Sequence, residues 1–415
     1  MLTPERQNTI DPLDACKSAI RYARQFDFAG YNKHDALNSP LLSRLTFGNR
    51  FLRLAMTQAV MRAPINLRSM LGVPRTKNPK GLALFAMSAL DLFRVTGDEE
   101  WHDLAIELLD CLRKHACHDF PGLSWGYPYS WQDVGFFAPR DFPNRVVTCF
   151  VAQAFLSAWD LLGRDEDIHV AEQACDFLLE SPKRLFESDD MLCLSYVPDE
   201  RVTWVVMDVS ALVSAVIART AAATDRAEHL GDARRLMQYV VDKQTDYAAW
   251  YYSEPPGDSH ITHDNYHTGF ILDAILDYSQ ATGDNRFMSA YDTGLQFYED
   301  RLFEPNGAPK WMDDKSYPYD IHGAAQGILT FSRAAQQHPF RLETARRISD
   351  WTLAHLYDAR GFFYYQQRRF YTKRFNLLRW CNGWMARGLA SFAVASHRAD
   401  IQALDTGQRL NEVRA

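Results

Sequence analysis

Apolar positions in this chain fall into two alternating kinds of helical segment. The first kind is apolar or small on nearly every face: residues 81–93, 146–162, 204–218, 267–278, 322–335 and 381–395. A helix with no wet face has to be enclosed by other elements. The second kind is amphipathic. Residues 99–114 carry Leu104, Leu108, Leu109 and Leu112 on one side and charges elsewhere, and 167–179, 226–243, 286–302, 341–357 and 11–26 follow the same plan. Short polar turns separate the two kinds: Val95-Thr96-Gly97-Asp98, Leu162-Gly163-Arg164-Asp165, Ala223-Thr224-Asp225-Arg226, Ala281-Thr282-Gly283-Asp284 and Gln337-His338-Pro339. They recur every ~54–67 residues, a spacing that holds two helices and a loop.

After each amphipathic helix comes an aromatic run: Trp125-Gly126-Tyr127-Pro128-Tyr129, Leu194-Ser195-Tyr196, Trp250-Tyr251-Tyr252, Lys310-Trp311-Met312 and Phe362-Phe363-Tyr364-Tyr365. Such runs favour short strands or extended loops. Six enclosed and six outer helices in alternation predict an all-α (α/α)6 toroid, with the aromatic segments gathered at one mouth. The toroid is expected to be one domain over residues 1–415. Residues 30–80 depart from the hairpin plan, with an extra helix over 49–70, and 396–415 read as a tail.

Composition narrows the function. The chain has 415 residues with a formal net charge of −7, and 13% of its residues are aromatic. An acidic chain with no broad basic field argues against a nucleic-acid partner. The stretch Arg368-Arg369-Phe370-Tyr371-Thr372-Lys373-Arg374 is a small basic footprint, better suited to a polyanionic glycan. Seven cysteines without a C-x-x-C pair read as free thiols in a reducing compartment. Residues 1–8 show no basic stretch followed by an apolar run, and no segment approaches 18 uninterrupted apolar residues, so a cytoplasmic location without a membrane span is expected. Phosphate-loop, dinucleotide and Gly-x-Ser-x-Gly patterns are missing, and no cofactor is expected.

The alternation resembles the six-hairpin toroid proteins of carbohydrate metabolism. The block His263-Asp264-Asn265-Tyr266-His267-Thr268-Gly269-Phe270, at the start of an enclosed helix, resembles bacterial exopolysaccharide-biosynthesis toroid proteins. The resemblance implies a glycan-processing role in bacterial polysaccharide metabolism and a saccharide ligand. It carries over no catalytic residue.

The candidate chemistry lies where the enclosed helices begin. Sugar C–H faces stack on Trp and Tyr, and Asp, Asn, His and Arg bind hydroxyls. The densest polar cluster runs from Asp258 to His267. There His263, Asp264, Tyr266 and His267 could move protons, while His260 and Asn265 could hold substrate. The spacing His260-x-x-His263-x-x-x-His267 lacks a helix-borne metal pattern, and no metal is expected. Other helix-start segments offer Trp131, Asp133 and Arg145; Trp204 and Asp208; Trp311, Asp314, Tyr317, Asp320 and His322; and Arg379, Trp380 and Asn382. Asp208 and Asp320 join the catalytic candidates, since paired carboxylates across such a cleft would suit glycoside hydrolysis. Arg145 or Arg379 would suit a uronate carboxylate in a lyase or epimerase. A non-catalytic glycan-binding or scaffold protein of exopolysaccharide assembly is the alternative. Whether the chain is an enzyme at all, and its oligomeric state, stay open at this point.

Overall fold

A computed structural model describes residues 10–133, 136–181, 183–224 and 226–414, with side chains described up to residue 404. Asp225 of the third turn lies outside the described residues. The chain opens with α1 (Pro12–Arg24), capped by Asp11, whose carboxylate accepts from the amides of Leu13 and Asp14. Next come the short α2 (Pro40–Leu45) and α3 (Arg50–Arg62). Five hairpins follow in order. These are α4 (Pro79–Thr96) with α5 (Glu99–Lys114), α6 (Arg145–Leu162) with α7 (Asp165–Glu180), α8 (Met207–Ala223) with α9 (Leu230–Asp242), α10 (Asn265–Thr282) with α11 (Met288–Leu302), and α12 (Ile321–Ala334) with α13 (Arg341–Leu356). A π-helical turn, Arg379–Gly383, leads into α14 (Trp384–Arg414). The segment after residue 395, which reads as a tail, thus continues the last helix.

α4, α6, α8, α10, α12 and α14 each pack against the next, and α14 packs back on α4 to close the ring. The outer layer consists of α5, α7, α9, α11 and α13, each against its own inner partner, with α1 against α14. The architecture is the (α/α)6 toroid that the hydrophobic pattern predicts. α6 is long and apolar enough to cross a membrane, but it lies mostly buried inside the ring.

Local chemistry explains the turns. Gly97, Gly163 and Gly283 end α4, α6 and α10 in the left-handed conformation, with φ of 70°, 66° and 72°. A side chain there would meet the Cβ penalty that glycine escapes. Asn78, Asn144 and Asp320 cap the starts of α4, α6 and α12 with side-chain oxygens. One boundary differs from the reading above: Trp204 precedes the helix, because Val205–Val206 pair as a short strand with Ser253–Glu254 and the helix begins at Met207.

Small residues let the inner helices approach closely. A Cβ on Gly388 would sit 2.7 Å from the carbonyl oxygen of Ala325 on α12, a backbone atom that cannot rotate away. Gly388→Ala should therefore cost about 1–3 kcal/mol by overpacking, read as a lowered urea midpoint at unchanged slope.

Residues 31–77 form neither layer. They lie across the mouth where the inner helices begin. Asn38 donates to the carbonyl of Pro128 (2.9 Å), and the carbonyl of Met61 accepts from Lys373 Nζ (2.9 Å). Inside this strap Arg68 is buried. Its Nε donates to Asp35 (2.6 Å) and to the Asn32 carbonyl (3.0 Å), and its Nη2 donates to the Lys33 carbonyl (2.9 Å).

Candidate active site

Alternating hairpins bring the six inner-helix starts to one end of the ring. Each start carries the positive end of its helix dipole toward that end of the ring. Lys80 stands in the first turn of α4, and its Nζ lies 3.9 Å from the Phe150 ring centre, 4.9 Å from Phe270 and 5.2 Å from Trp384. Burial and the nearby Arg379 push this ammonium well below the usual lysine range, against the opposing pull of Asp208. Asp208, buried in the first turn of α8, has one carboxylate oxygen without a hydrogen-bonding partner among the described residues. Burial raises its acid range, opposed by His267 and Lys80.

Two imidazoles flank Tyr266. His322 stacks on it at 4.2 Å between ring centres and 14° between planes; His267 lies 4.2 Å away on a 45° tilt. Their environments are opposite. His267 Nδ1 is 2.7 Å from Asp264 Oδ2. Burial would lower its pKa, but Asp264 and Asp208 outweigh that and hold it above the usual histidine value. The bond to Asp264 also directs Nε2 away from the carboxylate.

His322 is only 1% exposed, packed between Tyr266, Trp384 (4.3 Å) and Trp380 (4.5 Å). Neither of its nitrogens has a partner among the described residues. Burial, then Lys80, Arg379, His267 and Lys33, push it well below the usual histidine value. One ring is therefore biased toward its protonated form and the other toward its neutral form. Above them Lys33 Nζ sits 3.9 Å from the Trp380 ring and 5.6 Å from Trp311. Burial lowers its pKa to about 8.

The structure thus gathers Asp208, Asp264, Tyr266, His267, His322, Arg379, Trp380 and Trp311 at one centre. Asp133 acts electrostatically on Tyr252, whose ring is 4.6 Å from His267. Trp131 and Trp204 pack beside that centre, against Phe136, Val197 and Val202.

Other candidates serve the wall. His263 is bonded through Nδ1 to the Trp250 carbonyl (2.9 Å) and through Nε2 to the Tyr247 hydroxyl (3.1 Å), and packs against Phe297 of the outer layer. Asp320 caps α12 and accepts from Trp380 Nε1 (2.7 Å) and Gln366 Nε2 (2.6 Å), which occupies both oxygens. Asn265 donates to the Leu302 carbonyl and accepts from Tyr298. Asn382 ties α1 to the last hairpin through the carbonyls of Ala19 and Gly361. Arg145 is fully buried and donates to the carbonyls of Leu178 and Ser195, so it is no carboxylate clamp for substrate. His260, Asp314 and Tyr317 are exposed.

Lys80 and Lys33 are the charged groups at this centre that the sequence reading passes over. Lys80 looks like part of a helix start, yet a lysine two places into an otherwise apolar inner helix is itself the signal. Lys33 has none, because it reaches the centre from the irregular strap.

No family model and no curated protein sequence matches the chain. Solved structures do. A cellobiose 2-epimerase from Bacillus thermoamylovorans superposes with a TM-score of 0.59 at 13% identity, over 76% of this chain and 87% of that one. An unsaturated glucuronyl hydrolase specific for heparin gives 0.62 at 11%, over 94% and 98%. A D-mannose isomerase gives 0.57 at 11%, over 77% and 87%. The chain has their (α/α)6 toroid fold. At these identities the toroid's likeness to them is one of architecture, and its chemistry has to come from its own residues.

Proposed function

We propose that this toroid is a sugar epimerase or isomerase, moving a proton at a carbon next to a carbonyl of a saccharide. The observation that carries the reading is the pair of imidazoles about Tyr266 with opposite protonation preferences. Neutral His322 takes the proton from the carbon beside the carbonyl. The electrons move into the carbonyl, and the new oxyanion is stabilised by Lys80, Arg379 and the inner-helix starts. His267, whose bond to Asp264 favours the charged form, returns a proton to the same carbon from the other side, or, once the adjacent hydroxyl proton has passed to the former carbonyl oxygen, to the neighbouring carbon. Two of the structural neighbours, an epimerase and an isomerase, carry names consistent with this chemistry. The block from His263 to Phe270 supports a place in bacterial polysaccharide metabolism. Seven free cysteines, five of them buried, suit a reducing, cytoplasmic setting.

A second reading rests on Asp208. A buried carboxyl with a raised pKa suits the general acid of a glycosidase. Incubation in D2O with cellobiose, mannose and bacterial exopolysaccharide fragments, followed by NMR and mass spectrometry, separates the two. Deuterium gained at the carbon beside the carbonyl is expected. Chain cleavage without exchange transfers the role to Asp208. Binding with neither outcome makes the protein a glycan-binding module.

The pH profile offers a further check. His322 accepts a proton only well below the ordinary histidine value, so the acid limb of turnover should lie below about pH 6.5. His267 is raised, so the alkaline limb should lie above it. Asp264→Asn removes the carboxylate that raises His267 and should move the alkaline limb toward lower pH, with the acid limb in place. The same residue links to stability. The charged His267 stabilises the fold fully below the unfolded value near 6.5, and that contribution fades as pH rises through the higher folded value.

A further inference from the structure

The opposite end of the ring holds a cavity of ≈ 420 Å³, lined where the inner helices end. Its floor is formed by Phe150, Phe270 and Trp384, the same three rings that hold Lys80 from the other side. Around it, inner helices are joined in pairs by ions. Arg219 of α8 meets Asp160 of α6 at 2.7 Å, Arg333 of α12 meets Asp277 of α10 at 2.5 Å, and Arg387 of α14 pairs with Asp91 of α4.

The charges in this wall largely satisfy one another: four aspartates and four arginines line the cavity. Arg94, exposed at the rim, has no ion partner among the described residues, but an ionic ligand deeper in the cavity would have to break a pair to be held. A neutral ligand with many hydroxyls would not, because paired carboxylates and guanidinium groups keep lone pairs and N–H groups available. Two buried acceptors have no hydrogen-bonding partner among the described residues: Gln326 Oε1, on a residue 0% exposed, and Asp273 Oδ1, on one 8% exposed. Asp273 Oδ1 has only Arg333 at 3.6 Å. Both residues line the cavity with these atoms just beneath its surface, and buried acceptors left over beside a polar cavity call for donors once their side chains turn toward it. The aromatic floor provides an apolar face for C–H groups, and the volume falls in the ~300–1,000 Å³ range of small-ligand sites.

We infer that this cavity is a second saccharide site, which binds an uncharged mono- or disaccharide through the Asp273–Gln326 acceptors and the aromatic floor. It is separate from the reacting centre, and the shared rings place its ligand directly behind Lys80. Occupancy therefore reports to the reacting end through the position of that ammonium.

The test titrates mannose and cellobiose into the full chain, followed by ligand-observed NMR, with glucuronate as the charged control. Ala222 lies on the exposed lip of the cavity, so Ala222→Trp narrows the opening without removing a hydrogen bond. Neutral sugar should bind the cavity in the parent protein and in His267→Asn, which disables only the reacting end. Ala222→Trp should weaken that binding about tenfold or more, and Gln326→Met should do the same if Ala222→Trp folds poorly. Glucuronate should not compete. Sugar binding that ignores both cavity variants, no neutral-sugar binding at all, or equal occupancy by glucuronate overturns the assignment. Because the readout is binding in a variant without turnover, it is independent of whether the proposed proton transfer is correct.

Discussion

His322→Phe should slow turnover severely and raise the melting temperature together. The ring keeps its stacking against Tyr266 and Trp384, but the two unpartnered nitrogens are gone. A buried polar group without a partner costs about 1–3 kcal/mol, so the substitution should stabilise the fold by an amount of that order. Loss of the base should slow turnover by about 10²–10⁴-fold. Opposite movement of stability and activity marks a residue retained for chemistry. A variant with full turnover removes His322 from the mechanism. One that loses stability along with activity makes it a packing residue. Differential scanning calorimetry beside initial-rate measurements distinguishes these results.

The second large effect concerns the strap. Arg68 and Asp35 are both 1% exposed and meet at 2.6 Å. Arg68→Met leaves the Asp35 carboxylate buried without its cation, which should cost about 3–5 kcal/mol. That cost falls first on residues 31–77, so hydrogen exchange should speed up there while α4 to α14 stay protected. The same substitution frees the Lys33 backbone, which Arg68 holds through Nη2, and turnover should fall as Lys33 leaves Trp380. Combining Arg68→Met with Asp35→Leu removes both charges and should recover most of the stability but not the turnover. Recovery of both would mean that Arg68 supports the strap without positioning Lys33. Protection that falls throughout the ring would mean that the strap is part of the main core.

The architecture was legible because its signal is long and repeated. Each inner helix is apolar on all sides over several turns, and only burial in a second layer accommodates that pattern. The site was legible in part. Tyr266, His267, His322 and Asp208 sit in the first turn of an inner helix, Arg379 and Trp380 lie in the π-helical turn that leads into α14, and the ring brings starts together. Proximity to a start does not say which way a side chain turns. Asp320, Asn265 and Asn382 stand at the same positions and are consumed by capping and inter-helix bonds. Arg145 turns outward to the Leu178 carbonyl. Lys33 was illegible for another reason: it arrives over the mouth by way of the strap, whose course depends on a buried ion pair and scattered long-range hydrogen bonds rather than on any period in the chain.

The sixth hairpin has a consequence for biosynthesis. Its outer helix, α1, precedes every other helix among the described residues, and its inner helix, α14, follows them all. The Asn382 bond to Ala19 and the Cys16 bond to the Ala386 carbonyl join residues more than 360 positions apart. During translation α4 to α12 can pair with their own outer helices as each emerges, since those contacts are local. Until α14 leaves the ribosome, the ring is an open crescent with apolar flanks on α4 and α12 facing water. Such surfaces aggregate and recruit chaperones. Burial of those flanks should therefore wait for α14 to emerge, and a ribosome stalled before residue 384 should hold a chain that is helical throughout yet still sticky at both edges.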